Sequence, residues 1–190
     1  MRAIVFDQPG GPEVLKIAER PRPESADGFV VIEVRAFGLN RAETYFRSGK
    51  WGDVVQVTGI ECVGEIAEDV SGVFSRGQKV AAMMGGMGRS IDGSYAEFVR
   101  VPASNVLPIS SSLSWERLAA IPESYATAWT CLFRNLSLQA GQTLLIRGGT
   151  SALGQAAINV AANHGAHVIA TTRRSDRHAG LKRIGAEHLS

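Results

Sequence analysis

Residues Ile146-Arg147-Gly148-Gly149-Thr150-Ser151-Ala152-Leu153-Gly154 lie between an apolar run and a helical pattern. Glycines at such a junction let the backbone turn tightly and approach a phosphate. The helix that follows offers unpaired N–H groups and the positive end of its dipole. The spacing does not match G-x-G-x-x-G. Gly149 to Gly154 fits the opening of a P-loop, but Gln155-Ala156 stand where Lys and Ser/Thr are required, which disfavours a nucleoside triphosphate. A dinucleotide-binding unit selects its cofactor about 20 residues further on. There Thr171-Thr172 leads into Arg173-Arg174, with Arg177 close behind. Guanidinium forks suit a phosphate monoester, so a dinucleotide bound here is expected to be NADPH rather than NADH. Two plainer readings stay open: the turn as tight strand–helix packing, and the arginines as a solvated surface with Asp176 neutralising one of them.

A second polar group is Asn40-Arg41-Ala42-Glu43. An N-cap Asn followed three residues later by Glu resembles a capping box, and Gly49 is a plausible stop. Capping alone accounts for Asn40, and an added functional role is the alternative.

The elements that must position these groups fall into two textures. Up to about residue 110 the chain reads as short strands broken by Gly and Pro: 2–6, 15–19, 29–37, 63–68, 79–83, 95–101 and 105–107. This spacing predicts an all-β barrel or sandwich. Beyond Ser110 a helical turn from Ser114 stops at Pro122, and a helix spans 125–136. A strand follows at 143–146, a helix from Ala152 to His164 with Gly165 after it, and a strand at 167–171. A last helix spans 177–184, closed by Gly185. Leu153, Ala156, Ala157, Val160 and Ala161 are the expected buried face of the second of these long helices. Strand–helix–strand–helix opens a doubly wound parallel sheet.

Bulk properties exclude several classes. A net charge of +2 over 190 residues is too small to imply a nucleic-acid partner. Residues 1–147 are near neutral, with 15 Lys/Arg against 16 Asp/Glu. Residues 148–190 carry five basic residues against two acidic ones, which favours a small anionic ligand. Cys62 and Cys131 form no disulfide framework and no metal-type pair, which fits a reducing cytosol. Neither a signal peptide nor a membrane-length apolar run is visible, so a cytoplasmic protein is expected.

The ordered set of segments resembles the medium-chain dehydrogenase/reductase superfamily along the whole chain. The segments are Phe37-Gly38-Leu39-Asn40, Thr44-Tyr45-Phe46-Arg47-Ser48-Gly49, Gly59-Ile60-Glu61-Cys62-Val63-Gly64, Ala120-Ile121-Pro122 with Tyr125-Ala126-Thr127-Ala128, the glycine turn, and Leu181–Ala186. The resemblance is strongest to its zinc-free quinone oxidoreductases. It implies an α/β chain with an all-β part: a GroES-like β-barrel over 1–112, then the first portion of a Rossmann NADPH-binding sheet over 113–190. Zinc members have Cys where this chain has Asn40, and Gly-His-Glu where it has Gly59-Ile60-Glu61. A catalytic zinc needs about three protein ligands, and His164, His167, His178 and His188 all fall in the nucleotide half. No metal is therefore expected. Without a Lewis acid, hydride transfer needs an already electron-poor acceptor, a quinone or enone.

By the same resemblance, Asn40 and Tyr45 face the nicotinamide and substrate, and Thr127 contacts the cofactor near its nicotinamide end. Tyr45 is the expected substrate-oxygen donor, its alternative being a packed aromatic. Arg47, Ser48 and Gly49 are further cleft candidates, and Tyr125 is either pocket or core. Gly148 to Gly154 would cradle the pyrophosphate, with Thr172, Arg173, Arg174 and Arg177 beside the 2′-phosphate. A non-catalytic NADPH-binding protein and a carrier-linked enoyl reductase are the rival expectations. A Rossmann sheet has about six strands, and only residues 187–190 hint at a third here. The sequence is accordingly expected to be part of a longer chain, homodimeric when complete.

Overall fold

The computed structural model describes residues 1–190, which divide into two compact units, Met1–Glu123 and Ser124–Ser190. The first unit thus runs beyond the boundary expected at residue 112. The cause is a short helix, α2 (Trp115–Ala119), whose Leu118 and Ala119 are buried against Val63 and Ala81.

The first unit is built from β1 (Arg2–Val5), β2 (Lys16–Glu19), β3 (Phe29–Ala36), α1 (Arg41–Arg47), β4 (Glu61–Glu68), β5 (Lys79–Met83), β6 (Phe98–Pro102), β7 (Val106–Pro108) and α2. Five strands make one antiparallel sheet in the order β6-β3-β4-β5-β7, and β1 pairs with β2. The sheet curls into a half-barrel, and β1 joins it through the Ala3–Ala96 bridge. That bridge explains a difference from the expected strand 95–101: Tyr95 and Ala96 pair with the β1 edge, and the β3 ladder begins only at Phe98.

Both faces of the central strands are covered, so apolar residues run consecutively instead of alternating. Val30, Ile32, Cys62, Ile66, Val80, Val99 and Val101 fill the interior. Val63 and Ala81 meet α2 on the other face. Where β3 passes β4, a Cβ on Gly64 would lie 2.1 Å from the Glu33 carbonyl oxygen. Only glycine permits that approach, beside the register shift between Val34 and Ala36.

The second unit holds a parallel sheet, β8 (Thr143–Ile146), β9 (His167–Ala170) and β10 (His188–Leu189), in the order β10-β9-β8. Helices α4 (Ala152–Asn163) and α5 (His178–Arg183) make the crossovers, in keeping with the first part of a doubly wound sheet. Gly165 (φ +88°) and Gly185 (φ +116°) end these helices as expected. Ala156, Ala157, Ile158, Ala161, Val168, Ala170 and Leu181 form its core. Two expected positions differ. Leu153 is 42% exposed because it sits in the first turn of α4, and Val160 is only half-buried, while Ile158 takes the central place.

The helix expected at 125–136 is two pieces. The helical turn from Ser114, α2, ends before Pro122 as expected, and Pro122 in turn starts α3 (Pro122–Trp129), where its missing N–H costs nothing. A π-helical turn, Thr130–Asn135, follows. The wider turn keeps Ala128 and Leu132 in the core but leaves Trp129 and Leu136 exposed.

Gly64→Ala should destabilise the first unit by about 1–3 kcal/mol through overpacking, measured by denaturant unfolding. An unchanged midpoint would show that β3 and β4 can separate there without cost.

Candidate functional site

Helix α1 begins at Asn40, whose extended backbone (φ −111°, ψ 145°) and Glu43 form the expected capping box. Glu43 does more than cap. Its side chain turns into the half-barrel, leaving the residue 6% exposed, and each oxygen is met by donors. Oε2 accepts the Asn40 N–H at 2.7 Å and the Tyr95 hydroxyl at 2.5 Å; Oε1 accepts the Ile60 N–H at 3.0 Å. Burial nevertheless holds the Glu43 carboxyl above the ordinary carboxylate value, with these hydrogen bonds pulling the other way. Burial likewise pushes the Tyr95 phenol up.

A second buried carboxylate stands beside this one. Glu61, 3% exposed at the start of β4, accepts the Asn40 side-chain amide at 2.7 Å through Oε1 and the Glu123 N–H at 2.8 Å through Oε2. Its backbone carbonyl accepts the Ser94 hydroxyl at 2.6 Å. Desolvation raises its carboxyl as well. Neighbouring Cys62 is fully buried in the interior, and desolvation pushes its thiol up to about 12.

Tyr45 is half-buried on α1, and its hydroxyl accepts Arg41 Nε–H at 3.2 Å. That guanidinium holds the phenol below its usual value. Two residues on, Arg47 Nη1 is buried with no hydrogen-bond partner. Ser48 and Gly49 serve to end the helix: Ser48 Oγ donates to the Tyr45 carbonyl, and Gly49 (φ +73°) donates to that of Phe46.

In the second unit the glycine turn is both tightly packed and open to a ligand. A Cβ on Gly154 would meet the Gly148 carbonyl oxygen at 2.5 Å, and one on Gly149 would meet Ala170 at 3.1 Å. Gly148 has φ +71° and donates to Thr171 Oγ1. Ser151 caps α4, accepting the Gly154 N–H at 3.0 Å and donating to the Gly148 carbonyl. The Ala152 and Leu153 amides, first in the helix, have no acceptor within it.

A cavity of about 540 Å³ opens at this turn, lined by Arg147, Gly148, Thr150, Thr171, Thr172 and Arg173, together with Ser190. Arg174 and Arg177 are not part of it. They line a neighbouring cavity of about 450 Å³ with Thr150, Gln155 and Arg183. Asp176 pairs with Arg174 at 2.7 Å and lies 3.7 Å from Arg177. Arg173 has no such partner, so the three arginines are not equivalent. Thr127 is half-buried on α3. Tyr125 packs against the core and its hydroxyl donates to Asn159 Oδ1 at 3.3 Å.

Reading the sequence missed Glu61 and Tyr95 as network members, Arg41 as the partner of Tyr45, and Arg147 as a cavity residue. Glu61 carried a signal, an acidic residue opening an otherwise apolar strand; Tyr95 and Arg147 carried none.

Comparison with known proteins fits this architecture. Residues 26–111 match the alcohol dehydrogenase GroES-like domain. The mouse quinone oxidoreductase is 34% identical over 179 residues, 90% of this chain and 52% of its own length. A squalestatin tetraketide synthase of Cochliobolus lunatus is 29% identical over 93% of this chain and 7% of its own. Among solved structures, an NAD-dependent alcohol dehydrogenase superposes with TM-score 0.92 at 30% identity, covering 100% of this chain and 63% of that one. A mycobacterial protein complexed with NADPH gives 0.88 at 28%, covering 100% and 57%. Along its length the chain resembles the quinone oxidoreductases of the medium-chain dehydrogenase/reductase superfamily. It spans about half the length of the curated quinone oxidoreductases it matches. No helix is long and apolar enough to cross a membrane.

The two raised carboxyls carry a consequence for stability. A group whose folded pKa exceeds its unfolded value binds more protons when folded, between the two values. Stability from Glu43 and Glu61 is therefore full below about 4.5, the ordinary glutamate value, and is lost as pH rises through their raised folded values. Glu43→Gln should flatten that decline in thermal unfolding as the pH is raised above about 4.5. Parallel curves for the variant and the parent would assign the decline to other groups.

Proposed function

We propose that this protein is an NADPH-dependent reductase of quinones or α,β-unsaturated carbonyls that works without zinc. The carrying observation is the Asn40–Glu61 hydrogen bond. At the two positions where zinc members of the superfamily supply Cys and His, this chain has an amide and a buried aliphatic, Ile60. The remaining carboxylate, Glu61, has both oxygens engaged by N–H donors. Such a donor set suits hydrogen bonding and is poor for holding zinc.

The residues at the glycine turn fit a dinucleotide. A Cβ would fill the close approaches at Gly149 and Gly154, the first amides of α4 have no acceptor within the helix, and the adjoining cavity is basic. Gly148 to Gly154 would hold the pyrophosphate, with Thr172 and Arg173 at the 2′-phosphate and Arg174 and Arg177 contributing from the neighbouring cavity. Thr127 would contact the cofactor towards its nicotinamide. When bound, NADPH supplies the hydride.

The chain's own groups have three tasks: orientation, exclusion of water and stabilisation of developing charge on the acceptor oxygen. The Tyr45 hydroxyl, made a better donor by Arg41, would hydrogen-bond that oxygen. Asn40 would position the reacting pair. Quinones and enones are already electron-poor, so they need no Lewis acid. The partners so read are small molecules.

A carrier-linked enoyl reductase is the second reading, favoured by the likeness to a tetraketide synthase. NADPH oxidation by the full-length protein across quinones, free enones, acyl-thioester enones and alcohols separates the two. The preferred reading expects turnover of quinones or free enones that survives chelators and falls about 10- to 100-fold in Tyr45→Phe. Preference for thioesters selects the second reading, and efficient use of simple alcohols overturns both. Arg173→Glu should weaken NADPH binding much more than NADH binding in a fluorescence titration; equal losses would remove its phosphate-reading role.

A further inference from the structure

We infer that Glu61 is a positioning residue that fixes the orientation of the Asn40 amide, an inference that rests on Asn40 having the role proposed above. Among the side chains around Asn40, Glu61 alone touches its amide nitrogen, at 2.7 Å. An Asn side chain can present either its NH2 or its oxygen in a given direction, and the two ends are nearly isosteric. An ionised carboxylate accepts only, so it selects the NH2 end for itself. One amide hydrogen is committed to Glu61, and the second remains available to a ligand.

Three further contacts hold Glu61 itself. Its Oε2 accepts the Glu123 N–H at 2.8 Å, so α3 and β4 fix the carboxylate together. The Ser94 hydroxyl anchors its backbone carbonyl. Packing also confines it: a Cβ on Gly38 would lie 2.1 Å from Oε1, so glycine two residues before Asn40 makes room for the carboxylate. Both donors need an acceptor, and a carboxylate has two. A glutamine in its place has one oxygen and one NH2, so either Asn40 or Glu123 would face a donor. Leaving a buried donor unpaired is costly, and the Asn40 amide, on a rotatable side chain, is the one free to swing away.

The test is a double-mutant cycle in the full-length protein, with Glu61→Gln, Asn40→Ala and the pair. Glu61→Gln is expected to lower kcat about 10- to 100-fold with the KM for NADPH nearly unchanged, as a small misplacement of a reacting group would. In the Asn40→Ala background, Glu61→Gln should then have no further effect. Additive losses would overturn the inference while leaving Asn40 its role. A silent Asn40→Ala would instead remove the role of Asn40 on which the inference rests.

A readout independent of turnover comes from NMR. In the ligand-free protein, the Asn40 side-chain amide pair, assigned by its absence in Asn40→Ala, should shift in Glu61→Gln and stay in place in Tyr45→Phe. An unmoved pair in Glu61→Gln overturns the inference. If Glu61→Gln fails to fold, Gly38→Ala provides the second route, since its methyl group must displace the Glu61 carboxylate. It should move the same amide resonances, and their remaining in place would also overturn the inference.

Discussion

A carboxylate withdrawn from water has to be met by donors, and the first unit is organised around satisfying two of them. Glu43 and Glu61 are reached by groups from distant parts of the chain: a helix N-cap, the residue before β4, a loop tyrosine and the start of α3. Most of these donors have little freedom, being backbone N–H groups of residues fixed by sheet or helix. The network therefore works as a coordinate frame. It sets where α1 begins and hence where Asn40 and Tyr45 project, at the cost of two desolvated charges within a small barrel. That a buried polar cluster has survived in so apolar an interior is in keeping with a role in placing groups more than in stabilising the fold.

The second unit solves a different problem with backbone geometry. Close packing of Gly148, Gly149 and Gly154 and binding of a phosphate are not rival explanations, because the same contacts serve both. The turn is tight because the helix start is pressed against it, and Gly148 and Thr150 of the same turn line a basic cavity. The charge beside it is graded. Asp176 already compensates Arg174 and lies near Arg177, so Arg173 retains the most unshared charge.

Much of the architecture was readable from residue order, for physical reasons. Alternation of short apolar runs with Gly and Pro revealed the strands, and the periodic stripe Ala156, Ala157, Ala161 revealed α4. The Asn40–Glu43 capping box was legible because its two partners are three residues apart. Contacts that span tens of residues were not. Glu61 meets Asn40 across 21 positions and Tyr95 meets Glu43 across 52, distances over which no local pattern carries information. The π-helical turn after Trp129 escaped because its apolar spacing also suits an ordinary helix. Leu153 was misplaced because periodicity cannot show where a helix's first turn leaves the core. Arg173, Arg174 and Arg177 read as one cluster, yet the turn after β9 sends them to two cavities.

The burial of Cys62 has a chemical corollary. Quinones and enones, the acceptors proposed here, also alkylate thiols, and the attacking species is the thiolate. With burial pushing the thiol up to about 12, Cys62 stays in its protonated, unreactive form at neutral pH. A half-barrel that keeps this sulfur in its dry interior can handle electrophiles at its surface without being modified from within.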